Sequence, residues 1–313
     1  MRTSIVLLIC GLAGAAVGAQ VQTPPTHRYL AVWAMEARNP TAPSAGMPGM
    51  KSAQGLGRDF LAVFDVAPGT QTFGKLVAMS PVGAAQMAHH TSYALPPDGV
   101  LYANDWLANQ TYVFDLRNPV RPRLLRQFGI VGAMGYPHSF VPLPNGDTLA
   151  TFQYSGGYNH AAGGLVEFGA AGHVVRSSSA AVAGHANIRP YSLAVVPRLD
   201  RVVSSSADMM GAQVSHVAQV WRLSDLKLLK TMVMPGPPDV AADSSEPRLL
   251  SDGTTVVVPT FNCGLYKVED LARPNPSLRL VYDMGYRVCE VPVVEGKYLV
   301  MAAQSGHALV SLD

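Results

Sequence analysis

A repeated segment of about 40 to 50 residues is the feature of this sequence that most restricts its fold. Each copy contains four apolar strands, and the third strand ends in a polar reversal. The first strands end in hairpin turns such as Pro97-Asp98-Gly99, and the third strands, such as Tyr112–Leu116, alternate with a period of two. The copies are His89–Phe128, Pro137–Ser178, Pro190–Met232 and Glu246–Met284. This pattern predicts an all-β fold, a β-propeller of four-stranded blades.

Both ends of the predicted propeller are incomplete. The amino end offers three strands, and so does the carboxyl end. The predicted terminal strands are Tyr29–Met35, Phe60–Val66, Thr72–Met79, Val288–Val294, Tyr298–Ala303 and Ala308–Leu312. We therefore expect about six blades in one domain, residues 20–313, with the closing strands missing at the carboxyl terminus. The Pro-, Gly-, Ser- and Met-rich stretch 36–57 is predicted to be a mobile surface loop.

The first residues have the pattern of an export signal. Arg2 is followed by the apolar run Ser4–Val17 and by the small residues Val17-Gly18-Ala19 before Gln20. An uncleaved membrane anchor is the alternative, but the strongly apolar stretch is shorter than the roughly 20 residues that a membrane span requires. We expect residues 1–19 to be a signal peptide, the protein to be periplasmic or secreted, and no stable membrane insertion after cleavage.

Composition and motifs exclude several classes of function. The net charge is +2 and the sequence pI is about 8.4, so no basic stripe predicts nucleic acid or anionic lipid as a partner. The chain has no phosphate-binding Gly-Lys-Ser or Gly-Lys-Thr loop, no Gly-x-Ser-x-Gly elbow and no His-Glu-x-x-His helix. Nucleotide and common hydrolase chemistries therefore lack sequence support.

Potential metal ligands fall on one predicted rim of the propeller. The chain segments that enter the first strand of each blade lie on the same face as the loops between second and third strands. The candidate site residues on this face are His89, His90, His138, His160, His307, Cys263, Cys289, Tyr191 and Glu246. Imidazole and thiolate suit copper and zinc, which makes a metal site the prediction for this rim. Neighbours on a regular strand point in opposite directions, so at most one of His89 and His90 would face the axis unless the strand begins after them.

Other interpretations of these residues stay open. A histidine at a polar propeller mouth can simply hydrogen-bond to nearby backbone. Cys263 and Cys289 can form a disulfide, a reactive thiol pair or buried apolar contacts, and a disulfide or buried thiol is favoured over a metal ligand. A lactonase-like calcium propeller would instead use Asp105, Asp208 and Glu246.

Several spaced motifs resemble the selenium-binding protein and methanethiol oxidase family. They are His89-His90-Thr91-Ser92, Pro137-His138-Ser139, Gly163–Phe168, Arg189–Ser192, Ser206–Met209 and Val220–Leu226. The resemblance implies a seven-bladed propeller and, in catalytic members, copper-dependent oxidation of methanethiol by oxygen and water to formaldehyde, hydrogen sulfide and hydrogen peroxide. It also implies that His89, His90 and His138 are the copper ligands. A further histidine-bearing segment of the longer family members has no counterpart before the final residue, Asp313, which suggests an incomplete seven-bladed ring.

The sequence thus leads to two functional hypotheses. The first is an exported copper-dependent oxidase of a small thiol, similar to methanethiol oxidase, with zinc or calcium less favoured than copper. The alternative is a non-catalytic propeller that binds a metal, selenium, a thiol or a protein partner on the same rim. Turnover with methanethiol separates the two, since a binding module would bind without consuming oxygen.

Overall fold

The computed structural model describes residues 27–35, 58–84, 87–92, 95–211, 213–285, 288–289, 291–296, 298–303 and 308–312. The predicted signal peptide, 1–19, and the predicted loop, 36–57, lie outside these residues. The described part consists of β-strands and two single-turn 3-10 helices, Ala170–Gly172 and Pro197–Leu199. Neither of these helices is long and apolar enough to cross a membrane.

The strands form six antiparallel sheets, which we number as blades 1 to 6. Blade 1 contains β1 (Tyr29–Met35), β2 (Arg58–Asp65) and β3 (Leu76–Ala84). Blade 2 contains β4 (Ala88–Thr91), β5 (Val100–Asp105), β6 (Gln110–Asp115) and β7 (Arg123–Phe128). Blade 3 contains β8 (Met134–Pro142), β9 (Thr148–Ser155), β10 (Ala161–Phe168) and β11 (Val174–Ser179). Each strand pairs with the next one along the chain.

Blades 4 to 6 follow the same rule. Blade 4 contains β12 (Pro190–Val196), β13 (Arg201–Ser206), β14 (Val217–Arg222) and β15 (Leu228–Val233). Blade 5 contains β16 (Arg248–Leu249), β17 (Val256–Pro259), β18 (Gly264–Glu269) and β19 (Ser277–Asp283). Blade 6 contains β20 (Val293–Glu295), β21 (Tyr298–Ala303) and β22 (Ala308–Leu312). The first strands of successive blades contact one another, from β1 through β4, β8, β12 and β16 to β20. The predicted all-β propeller with four-stranded blades is confirmed.

The turn after the first strand is built in the same way in four blades. Gly99, Gly146 and Gly253 have φ angles of 73°, 90° and 73°, and Asp200 takes the equivalent place in blade 4 with φ of 56°. A left-handed residue closes a tight hairpin, and glycine adopts that conformation without steric cost. The length of each hairpin is therefore set by the residue with a left-handed conformation, which is Gly in three blades and Asp in blade 4.

Apolar side chains fill the space between neighbouring blades. Between blades 4 and 5 the core includes Val203, Val220, Val258 and Tyr266, all fully buried. Blades 2 and 3 meet through a second cluster that includes Tyr102, Val113, Phe140, Phe152 and Phe168. Burial of both faces explains why the middle strands of the blades carry apolar residues on both faces.

Two terminal strand predictions were displaced. The prediction Thr72–Met79 corresponds to β3, Leu76–Ala84, because the Thr70 and Thr72 hydroxyls donate to Asp65 and keep the preceding residues in a turn. At the carboxyl end β20 is Val293–Glu295, which overlaps the predicted strand Val288–Val294 only at Val293 and Val294. At the start of β3, local side-chain bonding that strand propensity does not encode decides where the strand begins.

Candidate metal centre

The first strands of blades 2, 3 and 4 each contain a β-bulge at the same level of the propeller. Between the pairs Ala88↔Asp105 and Thr91↔Ala103, two residues of β4 stand opposite one residue of β5. The two bulged residues of β4 are His89 and His90. The corresponding bulges hold His138-Ser139 in β8 and Tyr191-Ser192 in β12.

The bulge explains how both adjacent histidines reach one site. β4 begins at Ala88, before the histidines. If β4 were regular, only one of His89 and His90 would therefore face the axis. An extra residue rotates the local backbone and redirects side chains that would otherwise alternate. His89 and His90 therefore both join His138 in a single cluster.

The three imidazoles are close enough to share one metal ion. One ring nitrogen of each histidine lies within 4.8 Å of one ring nitrogen of the other two. The Nε2 atoms of His89 and His138 are 3.0 Å apart. Two imidazoles that bind one metal through bonds of about 2.0 Å place their nitrogens about 3 Å apart. A search of the described residues for three or more converging His, Cys, Asp or Glu side chains finds these three histidines.

Burial keeps these histidines in the neutral form that binds metals. His138 is fully buried, and His89 and His90 are partly buried. Loss of solvation lowers the pKa of His89 and of His138 well below the usual histidine value, and the charge of a protonated His90 lowers both further. The pKa of His90 is lowered to about 4 by burial and by the positive charge of Arg248. At neutral pH all three imidazoles retain a free lone pair.

Two other predicted residues lie directly beside the cluster. The Tyr191 ring packs on the His138 ring, with centroids 3.8 Å apart. A carboxylate oxygen of buried Glu246, Oε1, lies 3.5 Å from Nδ1 of His90, and its Oε2 accepts a hydrogen bond of 2.7 Å from Arg248. Burial raises the pKa of Glu246, while the charge of Arg248 acts in the opposite direction. The Glu246 carboxylate therefore lies on the Nδ1 side of the His90 ring.

A cavity extends from the histidines along the inner strands. It has a volume of about 540 Å³, and His90 and Arg248 form part of its wall. Most of the remaining wall is apolar and includes Phe140, Val141 and Leu193. The cavity therefore offers a largely apolar space that contains at least one of the imidazoles.

Aromatic and sulfur-containing side chains cover the rim next to the histidines. Met87, Trp106, Tyr154, Tyr191 and Met209 belong to one buried cluster. Tyr191 connects this cluster to the histidines, since its ring packs on the ring of the buried His138.

The other predicted site residues lie elsewhere or have other partners. Cys263 and Cys289 form a disulfide that joins the rims of blades 5 and 6. His160 is exposed on the loop between β9 and β10, outside the three-histidine group, and His307 lies outside the described residues. Asp105 accepts hydrogen bonds from the backbone of Met87 and Ala108.

Sequence reasoning missed two residues that shape the site. Arg248 holds Glu246, and Asn104 contacts the backbone on either side of the cluster. Asn104 could have been noticed as a polar residue inside the apolar strand β5, whose side chains are otherwise suited to a buried sheet. A buried polar side chain needs partners, and in this protein the partners are the strands that carry the histidines.

The fold and the cluster define a β-propeller with a histidine site where the first strands begin. In comparison with known proteins, no protein-family model matches the chain. A methanethiol oxidase from Hyphomicrobium sp is 26% identical over 231 residues, which are 68% of this chain and 49% of the relative. The chain thus spans about half the length of this curated relative.

Solved structures support the fold assignment. A hypothetical selenium-binding protein from Sulfolobus tokodaii superimposes with a TM-score of 0.60 and 14% identity, over 80% of this chain and 66% of that one. The Dos1 propeller gives a TM-score of 0.54 and 14% identity, over 81% and 62% of the two chains. A protein of unknown function from Bacteroides caccae gives 0.53 and 11%, over 84% and 88%. The resemblance to the selenium-binding protein and methanethiol oxidase family, predicted from the motifs, is confirmed.

Proposed function

We propose that this chain is an exported copper-dependent oxidase of small thiols, with its metal held by His89, His90 and His138. The observation that carries the proposal is the convergence of three imidazoles from two blades, with two Nε2 atoms 3.0 Å apart. Similarity to a methanethiol oxidase supports a small thiol as the substrate. The buried disulfide between Cys263 and Cys289 supports export, since disulfides persist in oxidising compartments.

The donor set suits copper. Imidazole nitrogens bind copper and zinc well, whereas calcium prefers several carboxylate and carbonyl oxygens. Among the described residues, Asp105 and Asp208 do not belong to a converging group of three potential ligands, which argues against an oxygen-ligated calcium site. Copper, when bound, supplies the one-electron chemistry between thiol and oxygen that side chains cannot perform.

The protein's own residues prepare the site for that chemistry. Glu246 faces Nδ1 of His90 and so leaves the Nε2 atom of this ring for the metal. Tyr191 fixes the plane of the His138 ring by packing against it. The apolar wall of the cavity, with Phe140 and Leu193, would bind the alkyl part of a thiol and exclude water from the histidine end.

The test is metal analysis of the mature protein after copper loading. We expect about one copper per chain in the wild type and a loss of at least about 100-fold in affinity in the His90→Ala/His138→Ala double variant, because each ligand removed takes one metal bond. A His173→Ala/His185→Ala variant is the matched control, since it removes two histidines outside the cluster. Equal copper in the wild type and the His90/His138 variant would refute the proposed site.

Turnover is tested separately by oxygen uptake with methanethiol and by assay of formaldehyde, hydrogen sulfide and hydrogen peroxide. We expect the wild type to produce all three and the His90→Ala/His138→Ala variant to produce none above background. Copper binding without oxygen uptake would instead support the alternative function, a metal- or thiol-binding propeller without catalysis.

A further inference from the structure

We propose that Asn104 is the positioning residue of the histidine cluster: its side chain fixes the backbone of His90 relative to the backbone that precedes His138. The proposal deepens the proposed function and rests on it as far as metal binding is concerned. Its structural part, the fixing of the His90 backbone, can be tested without any metal.

The position of Asn104 follows from the bulge. In β4 the pair His89-His90 stands opposite a single residue of β5, and that residue is Asn104. A bulge leaves the extra residue without its usual ladder partner, so a backbone N–H must find another acceptor. Here the His90 N–H donates to Oδ1 of Asn104 at 2.5 Å.

The other end of the Asn104 side chain reaches the next blade. Its Nδ2 donates to the carbonyl oxygen of Pro137 at 2.6 Å, immediately before His138. The main-chain carbonyl oxygen of Asn104 accepts a hydrogen bond of 2.7 Å from the Trp33 indole N–H of blade 1. Asn104 is fully buried, so water does not compete for these bonds. One amide group thus spans the two segments that carry the imidazoles.

The same device recurs in the next two blades. Thr151 stands opposite the His138-Ser139 bulge, accepts from the Ser139 N–H at 3.0 Å and donates to the Tyr191 carbonyl at 2.8 Å. Ser205 stands opposite the Tyr191-Ser192 bulge and accepts from the Ser192 N–H at 3.0 Å. Three polar residues of second strands therefore support three bulges. In blade 4 the supported bulge carries no imidazole. Ser205 binds the Ser192 N–H, whereas the Tyr191 carbonyl is held by Thr151, so Ser205 is the control residue.

The chemical consequence concerns distance. Metal ligation requires imidazole nitrogens from β4 and β8 to stay about 3 Å apart, and residues that orient ligands typically change metal affinity about 10- to 100-fold. A backbone shift of about 1 Å at His90 would place its ring outside bonding distance of a metal held by His89 and His138. Asn104 prevents this shift without touching the metal.

The experiment compares Asn104→Ala with Ser205→Ala, and uses Thr151→Val as a second, nearly isosteric variant. In metal-free protein, amide hydrogen exchange at His90 should be at least about tenfold faster in Asn104→Ala than in the wild type. Ser205→Ala should accelerate exchange at Ser192 and leave the His90 rate unchanged. Thr151→Val should accelerate exchange at Ser139.

Copper affinity, measured by competition with a chelator well below the unfolding temperature, is the second readout. We expect Asn104→Ala to weaken binding about 10- to 100-fold and to alter the Cu(II) spectrum, and Ser205→Ala to stay within about twofold of the wild type. If Asn104→Ala leaves the His90 exchange rate unchanged, or if Ser205→Ala weakens copper binding as strongly as Asn104→Ala does, the proposal is wrong. If the wild type binds no copper, the proposed function fails, and the exchange rate at His90 still decides the role of Asn104.

Discussion

The rim of blades 2 to 4 and the rim between blades 5 and 6 hold neighbouring blades together by different chemistry. In the first region the side chains of Asn104 and Thr151 donate to backbone carbonyls of the following blade. In the second region the disulfide between Cys263 and Cys289 adds a covalent link. The hydrogen-bonded rim leaves imidazoles free to face the axis, whereas the disulfide consumes the two thiols that could have bound a metal.

In blades 2 to 4, the residues that support the bulges differ from the residues that the bulges present to the axis. The three bulges have the same register, yet they carry two histidines, one histidine or none. The supporting bonds come from second strands, so the residues on first strands can change without loss of the framework. Of the three predictions below, given in order of expected effect, the first and the last test this separation of support from chemistry.

Removal of the disulfide should have the largest effect, and it should be confined to stability. The Cys263→Ala/Cys289→Ala variant releases a loop with a sequence separation of 26 residues, which is worth about 3.5 kcal/mol of unfolding free energy in the chain-entropy model. We expect this loss in denaturant unfolding, while copper affinity at the histidines stays within about threefold of the wild type. A large loss of copper affinity would show that the two rims are not independent.

A pH-dependent effect is expected where blade 1 meets blade 2. Burial and the charge of Asp105 raise the pKa of Asp59 from 3.8 to about 7. The folded state therefore keeps a proton that the unfolded state loses, so Asp59 supports stability at low pH and that contribution disappears as pH rises towards 7.

The Asp59→Asn variant should remove this dependence. The difference in unfolding free energy, Asp59→Asn minus wild type, should increase by about 2 to 3 kcal/mol from pH 5 to pH 8. The wild type loses up to about 1.4 kcal/mol per pH unit in this range as Asp59 ionises. Urea unfolding at several pH values measures it, with the exposed Asp98→Asn as control. A constant difference between wild type and Asp59→Asn across this range would contradict the prediction.

The smallest effect is expected from Tyr191→Phe, which tests whether the third bulge takes part in ligation. The variant keeps the ring that packs on His138 and removes only the phenol oxygen. Copper affinity should change by less than about threefold, because ring packing rather than the oxygen orients His138. A loss of more than about tenfold would instead identify the Tyr191 oxygen as a ligand.

Much of the fold could be predicted from the sequence because its signals are local. Alternating strands such as β6 and turns that end at Gly99, Gly146 and Gly253 repeat at a fixed spacing, and each specifies one hairpin. The start of β3 was misplaced, because Asp65 and the two threonines fix a turn through side-chain bonds that no strand pattern encodes.

The sequence by itself determined the repeat and the all-β class, since both depend on residue type and spacing along the chain. The resemblance to a known family singled out His89, His90 and His138 as candidate ligands. Only the tertiary structure decided that His89 and His90 face the same site, that Glu246 stands beside His90 and that Asn104 spans two blades. The physical reason is that a one-residue bulge changes the direction of side chains without changing the composition of a strand. The contact between His90 and Glu246, which lie more than 150 positions apart, arises only when the blades assemble around the axis.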